Sequence, residues 1–108
     1  MELHRLGDLR KTDKTYHEFL RTRDLSMGVY RLPAGAEDRQ QPHLEEEVYF
    51  VSSGRARFLA GQREVAIGPG DILFVPASEP HQFREIEEDL ELLVFFGPAE
   101  GSRAASRT

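Results

Sequence analysis

Hydrophobic and polar positions alternate with a period of two along most of this chain, and short polar or glycine-containing stretches break the alternation every eight to twelve residues. That is the grammar of short strands with one buried face. Residues 17–20 (HEFL) and 25–32 (LSMGVYRL) flank the polar Arg21–Asp24 and predict two strands joined as a hairpin. Pro33, Gly35 and the acidic pair Glu37–Asp38 mark a loop. The β-branched and aromatic run EVYFV (47–51) predicts a strand that Ser52–Ser53–Gly54 closes. RARFLA (55–60) and REVAI (63–67) alternate around Gly61–Gln62, the pattern of a tight hairpin. GPGD (68–71) predicts a turn, DILFV (71–75) a buried strand and PASEP (76–80) a loop. HQFREI (81–86), a turn over Glu87–Asp89, and LELLVFF (90–96) complete the set.

Eight or so short strands with almost no helix predict an all-β fold, a closed sandwich or barrel. Leu3, Leu6 and Leu9 recur at a spacing of three in residues 1–16, which read as an N-terminal arm with one short helical turn. The barrel spans 17–97, and the small, polar residues 98–108 read as a frayed tail.

Composition narrows the functional classes. A chain of 108 residues holds one core and one domain. With no cysteine, thiolate metal sites and a cysteine nucleophile are excluded, so a metal would need nitrogen and oxygen ligands. The formal charge of −5, with Asp24 interrupting the nearest pair of arginines, Arg21 and Arg23, speaks against a nucleic-acid partner. No apolar run approaches the ~18–20 residues that span a bilayer, and nothing near the N-terminus has signal-peptide form, so a cytoplasmic location and no membrane partner are expected.

Strand alternation then singles out chemistry. Gln41, His43, Glu45, Glu47, Tyr49 and Val51 share one parity. If Tyr49 and Val51 point inward, so does Glu47, and a buried carboxylate left unpaired costs on the order of several kcal/mol. A cation or a strong hydrogen-bond network is implied. His43 offers an imidazole just upstream, and His81, with the parity of Phe83, offers another. Two imidazoles and a carboxylate suit non-haem Fe(II), and also admit Mn, Ni, Co or Zn. Glu45 and Glu46 read as a solvated acidic run, with Glu45 a spare carboxylate by parity. His4 and His17 have no carboxylate at useful spacing and read as solvent-facing. Tyr30, Tyr49, Phe83 and Phe95 are candidates for a substrate pocket or for plain core, with Tyr49 favoured for the pocket because it follows Glu47 on the same face.

The same residues carry a family resemblance. Gly35, five residues, Gln41, one residue, His43, three residues, Glu47, six residues and Gly54 resemble the first cupin motif. Gly70, five residues, Pro76, four residues and His81 resemble the second, fifteen residues on. The resemblance implies a small jelly-roll barrel (a double-stranded β-helix), often dimeric, with a divalent metal at its mouth. Three positions depart from the pattern: Gln41 stands for the first histidine, Ser78 for a glycine, and Glu85 for an asparagine whose parity would match that of His81. Gln41 is accordingly a fourth metal ligand, a hydrogen-bond contact to substrate, or neither.

These readings predict a metal-dependent cupin acting on a small organic substrate. Dioxygenase-type oxidation with Fe(II) is favoured. The alternatives are isomerase or lyase chemistry with Zn or Mn, a non-catalytic ligand-binding module, and a structural dimer with a vestigial site. Edge strands and the N-terminal arm suggest a homodimer formed by sheet pairing.

Overall fold

In a computed structural model that describes residues 1–105, the alternation resolves into six strands and two single-turn helices. They are α1 (Leu6–Leu9), β1 (Tyr16–Arg21), β2 (Ser26–Leu32), β3 (Glu46–Ala60), β4 (Arg63–Ile67), β5 (Ile72–Val75), β6 (His81–Gly97) and α2 (Ser102–Ala105). The strands run antiparallel in the order β1-β2-β6-β3-β4, with β5 paired to β3. This is an all-β roll of the kind that the sequence predicts.

Six strands replace eight because β3 and β6 each run through a predicted turn. The two stay paired from Glu46 opposite Gly97 to Ala60 opposite His81, with irregularities between Val51 and Arg57 that bend the ribbon. Gly54 sits in that bend at φ +95°, where a Cβ would collide with the Asp89 carbonyl. Glycine therefore lets the strands bend and remain paired, where the sequence suggests that they end. The second half of β3 pairs with β4, and its first half with β5.

Inward residues of the bent ribbon form the core: Tyr49, Val51, Phe58, Phe83, Leu90, Leu92, Val94 and Phe96 are each at most 4% exposed. Burying such side chains contributes roughly 1.5–3 kcal/mol each. Phe83 packs against Tyr49 and Phe58 with ring centroids 4.9 and 4.7 Å apart. β5 is half as buried as expected: Val75 is enclosed, while Ile72 and Phe74 face outward at 71% and 59% exposure. Glu85 does not keep the parity of His81 either. Its φ of +48° rotates the strand by one residue, so that Phe83 and Ile86 are both buried and Glu85 is exposed.

Both termini are docked. Arg10 makes a bidentate pair with Glu91 at 2.8 and 2.8 Å, and Arg31 bonds the Arg10 carbonyl at 3.0 Å. The segment read as a frayed tail is folded as far as Ala105: Ala99 is buried, and residues 106–108 lie outside the described residues. The anchor is Glu45, which is 2% exposed and accepts the N–H groups of Gly101 at 3.0 Å and Arg103 at 3.1 Å. Glu45 is thus neither solvated nor a spare ligand. No helix among the described residues is long and apolar enough to cross a membrane.

Candidate metal centre

Glu47 lies at the start of β3, paired to Val75 of β5 on one side and Phe96 of β6 on the other. Strand alternation turns it inward, and it is 2% exposed. His81 opens β6, and its side chain is equally enclosed. His43 comes from the loop before β3, where its backbone carbonyl accepts the Ser78 N–H at 2.6 Å. Ser78 has φ +67°, so it adopts the left-handed conformation that a glycine would favour and brings the loop of one motif onto the loop of the other. The His43 ring lies edge-on to Phe96 with centroids 4.8 Å apart. One ligand atom from each of His43, Glu47 and His81 falls within 4.8 Å of the others.

Proton counting shows what this cluster lacks. His81 Nδ1 is 2.9 Å from the Glu79 carbonyl, which can only accept, so Nδ1 carries the proton. In the neutral ring Nε2 is then a bare lone pair. It faces Glu47 Oε1 at 3.0 Å, Gln40 Oε1 at 3.1 Å and Tyr49 Oη at 3.0 Å. The Glu47–His81 separation is an ion-pair distance rather than a hydrogen bond, because Oε1 of Glu47 has no aligned donor among the described residues. The single Tyr49 proton can serve Gln40 Oε1, at 2.9 Å, or His81 Nε2, but not both. Three acceptors therefore converge with one proton among them, and a cation is the missing partner.

The electrostatics favour positive charge beside Glu47, whether a proton on His81 Nε2 or a bound cation. Burial pushes the His81 imidazole down, but the Glu47 carboxylate and the Glu79 carbonyl outweigh it and hold the ring above its ordinary value. Burial, and then the Glu47 charge, push the Tyr49 phenol well above its own. Two imidazoles and a carboxylate form a donor set that divalent transition metals accept. The residues present therefore fit a divalent ion, held by His43, Glu47 and His81.

Beside the cluster opens a cavity of about 140 Å³. Tyr49, Gln40, His43 and Glu47 of the cluster line it, together with Tyr16, Tyr30, Val94, Phe96 and Glu100. Tyr49 and Tyr30 line this cavity. Phe83 does not, since it packs behind Tyr49 in the core.

Gln41 also lies elsewhere. It is exposed, and the amide that reaches the cluster is that of its neighbour Gln40. Strand parity fails upstream of Glu46 because β3 has not begun there, so counting back by twos from Glu47 selects the wrong glutamine. Asp38 fixes Gln40: its carboxylate accepts the Gln40 side-chain amide at 2.7 Å, the Tyr30 hydroxyl at 2.6 Å and the Phe83 N–H at 2.9 Å. The sequence shows Asp38 only as half of an acidic loop pair.

Glu100 and Tyr16 went unpredicted too. Glu100 lies in the segment read as a tail, with Oε2 3.7 Å from His43 Nδ1. Burial raises its carboxyl above the usual range; the His43 ring opposes the shift, and Glu18, Glu47 and Glu45 add to it.

Comparison with known proteins matches residues 28–96 to the cupin domain family. An uncharacterized protein of Streptomyces coelicolor, SCO3923, is 43% identical over 104 residues, covering 93% of this chain and 99% of that one. Dimethylsulfoniopropionate lyase DddQ of Ruegeria pomeroyi is 36% identical over 73 residues, 67% of this chain but 36% of the lyase. Its crystal structure superposes with a TM-score of 0.66 over 70% of this chain and 39% of that chain. The crystal structure of TT1209 from Thermus thermophilus gives a TM-score of 0.73 at 25% identity, covering 92% of this chain and 99% of that one.

Proposed function

This chain belongs to the cupin domain family, and from that premise we propose that it is a divalent-metal-dependent lyase acting on a small organic carboxylate. The observation that carries the reading is the position of Tyr49 Oη, 3.0 Å from His81 Nε2 and on the wall of the cavity. A hydroxyl there stands beside both the ligand cluster and the space a substrate would fill. The likeness to DddQ, a lyase by name, supports elimination over the oxidation that the sequence favours, although this chain spans little more than a third of that protein.

His43, Glu47 and His81 would hold the ion, with Gln40 Oε1 the adjacent neutral oxygen. When bound, a divalent ion supplies Lewis acidity, which makes a C–H next to a coordinated carboxylate easier to deprotonate. Gln40, itself held by Asp38, orients the Tyr49 hydroxyl. A bound ion would offset the charge of Glu47, which is second to burial among the causes that keep the Tyr49 phenol protonated. As a phenolate, its own proton having passed to solvent through the cavity, Tyr49 would accept the substrate proton at Oη. The flanking Val94 and Phe96 restrict water around the reacting carbon.

Zn and Mn suit this chemistry, while the two-imidazole, one-carboxylate donor set equally supports Fe(II) and the oxygenase alternative. The test is to load purified protein with Zn, Mn or Fe(II) and offer carboxylates bearing a leaving group two carbons from the carboxyl. Unsaturated acid should appear without consumption of O₂. Substrate-dependent O₂ uptake with Fe(II), and no elimination with any metal, would replace the lyase by the oxygenase.

A further inference from the structure

The part of the cavity lining outside the metal-binding cluster has its own chemistry. Tyr16 on β1 and Tyr30 on β2 are directly cross-strand, their rings edge to face at 6.1 Å, and Phe96 on β6 completes an aromatic wall. Tyr16 gets there because of Gly28. Any Cβ at that position would collide with the Tyr16 ring carbon Cζ and its hydroxyl, so the end of the tyrosine occupies the space that a side chain on β2 would otherwise take. Tyr16 Oη is buried with no partner among the described residues. A buried hydroxyl without a protein partner is costly, and this one lies at a residue that lines the cavity.

Charge on the same wall has one sign. Glu100 is fixed by its backbone: Ser26 Oγ accepts its N–H at 2.8 Å, and Arg21 donates to its carbonyl at 2.8 Å. That leaves its carboxylate facing the cavity, whose lining contains Glu47 but no lysine or arginine. Such a wall repels an anionic group and, through the negative faces of the rings and the Glu100 charge, attracts a cation.

We propose that Tyr16, Tyr30, Phe96 and Glu100 form a receptor for an alkylonium group, sulfonium or quaternary ammonium, so that the substrate is a zwitterion with its carboxylate at the His43–Glu47–His81 cluster and its cation in the cage. This rests on the metal-dependent reading for the anionic end only. Onium cations cannot donate hydrogen bonds, and the wall offers rings and a diffuse counter-charge rather than a set of convergent acceptors. The cavity volume of about 140 Å³ is that of a small ligand, since a cavity of about 150 Å³ takes up benzene.

The test is binding, measured apart from turnover. Zinc-loaded protein is titrated by calorimetry with 3-(trimethylammonio)propanoate and with its uncharged carbon isostere 4,4-dimethylpentanoate. The onium ligand should bind about tenfold tighter or more. Glu100→Gln should reduce that preference severalfold while the metal stays bound, and Gly28→Ala, by displacing Tyr16, should reduce it as well. Equal affinity for the two ligands in the wild type, or a preference that Glu100→Gln leaves unchanged, overturns the cage. Preferential binding without elimination from any substrate would sink the lyase reading and leave the cage standing. Elimination without preference would do the reverse.

Discussion

Oε1 of Glu47 and Nε2 of His81 face each other at 3.0 Å inside the barrel, and with Nδ1 of His81 committed to the Glu79 carbonyl the neutral ring has no proton for Glu47. A divalent ion is the partner that satisfies both, and its binding should appear as stability. Ligand at a hundred times its dissociation constant stabilises a folded state by about 2.7 kcal/mol. Zinc or manganese should therefore raise the melting temperature of EDTA-treated protein, and His43→Ala or His81→Ala should abolish that rise. A wild type whose melting is indifferent to every divalent ion would remove the metal site.

Tyr49→Phe separates chemistry from binding. The ring would remain wedged against Phe83, and the loss is one hydroxyl that touches Gln40 and His81. Metal content should be unchanged and the elimination rate should drop by about 10²–10⁴, the usual contribution of a proton-transfer group. Loss of metal in parallel with activity would instead make Tyr49 part of the binding shell.

Glu45→Ala tests the latch on the C-terminal segment. Its carboxylate accepts two backbone N–H groups, those of Gly101 and Arg103. Removing it should cost about 1–3 kcal/mol, since charged acceptors of backbone N–H groups are worth more than neutral ones. Amide hydrogen exchange over residues 99–103 should rise more than in the strands. Because Glu100 lines the cavity, substrate affinity should weaken while metal affinity holds.

How much of this was legible in the sequence depends on where alternation applies. From Glu46 onward β3 is regular, and counting by twos places Glu47, Tyr49 and Val51 inward, as found. Upstream the chain is loop, and the same count gives Gln41 in place of Gln40. His43 and His81 were recoverable because their spacing to Glu47, Pro76 and the motif glycines fixes loop lengths. Glu45, Glu100 and Tyr16 were not, because each acts through a long-range contact: a strand end on a C-terminal turn, a C-terminal residue on the loop before β3, a ring over a missing Cβ. The predicted turns at Ser52–Gly54 and Glu87–Asp89 differ from the structure for a related reason. Polar residues with a glycine mark a bend as readily as an end, and only pairing between the two strands tells them apart.

The homodimer expected from the sequence is predicted to form on the outer face of β5 rather than through the arm. Arg10 ties the arm to its own barrel, whereas Ile72 and Phe74 stand exposed beside their strand partners Phe50 and Val48. A large apolar patch of this kind is normally covered. Sedimentation should give twice the chain mass for the wild type and a single chain mass for Ile72→Glu with Phe74→Glu. A monomeric wild type at micromolar concentration refutes the pairing.

Acid should loosen the arm through Glu91. This carboxylate is 6% exposed and accepts two bonds from Arg10 and one from Ser52 Oγ at 2.7 Å. The hydrogen bond from Arg10 is the main cause that holds its pKa below the ordinary range, opposed by burial and assisted by Ser52. A carboxyl depressed in the folded state contributes stability that is complete above its unfolded value, roughly 4.3, and is lost as pH falls through the lower folded value. The window therefore lies below about pH 4.3, and the contribution is unchanged at neutral pH. Arg10 is half exposed, so solvent screening discounts what the pair contributes. Glu91→Gln should lower stability at pH 7 and flatten this part of the acid limb. Urea midpoints of wild type and variant should converge as pH falls below about 4, and curves that stay parallel down to about pH 3 would assign the acid limb to other carboxylates.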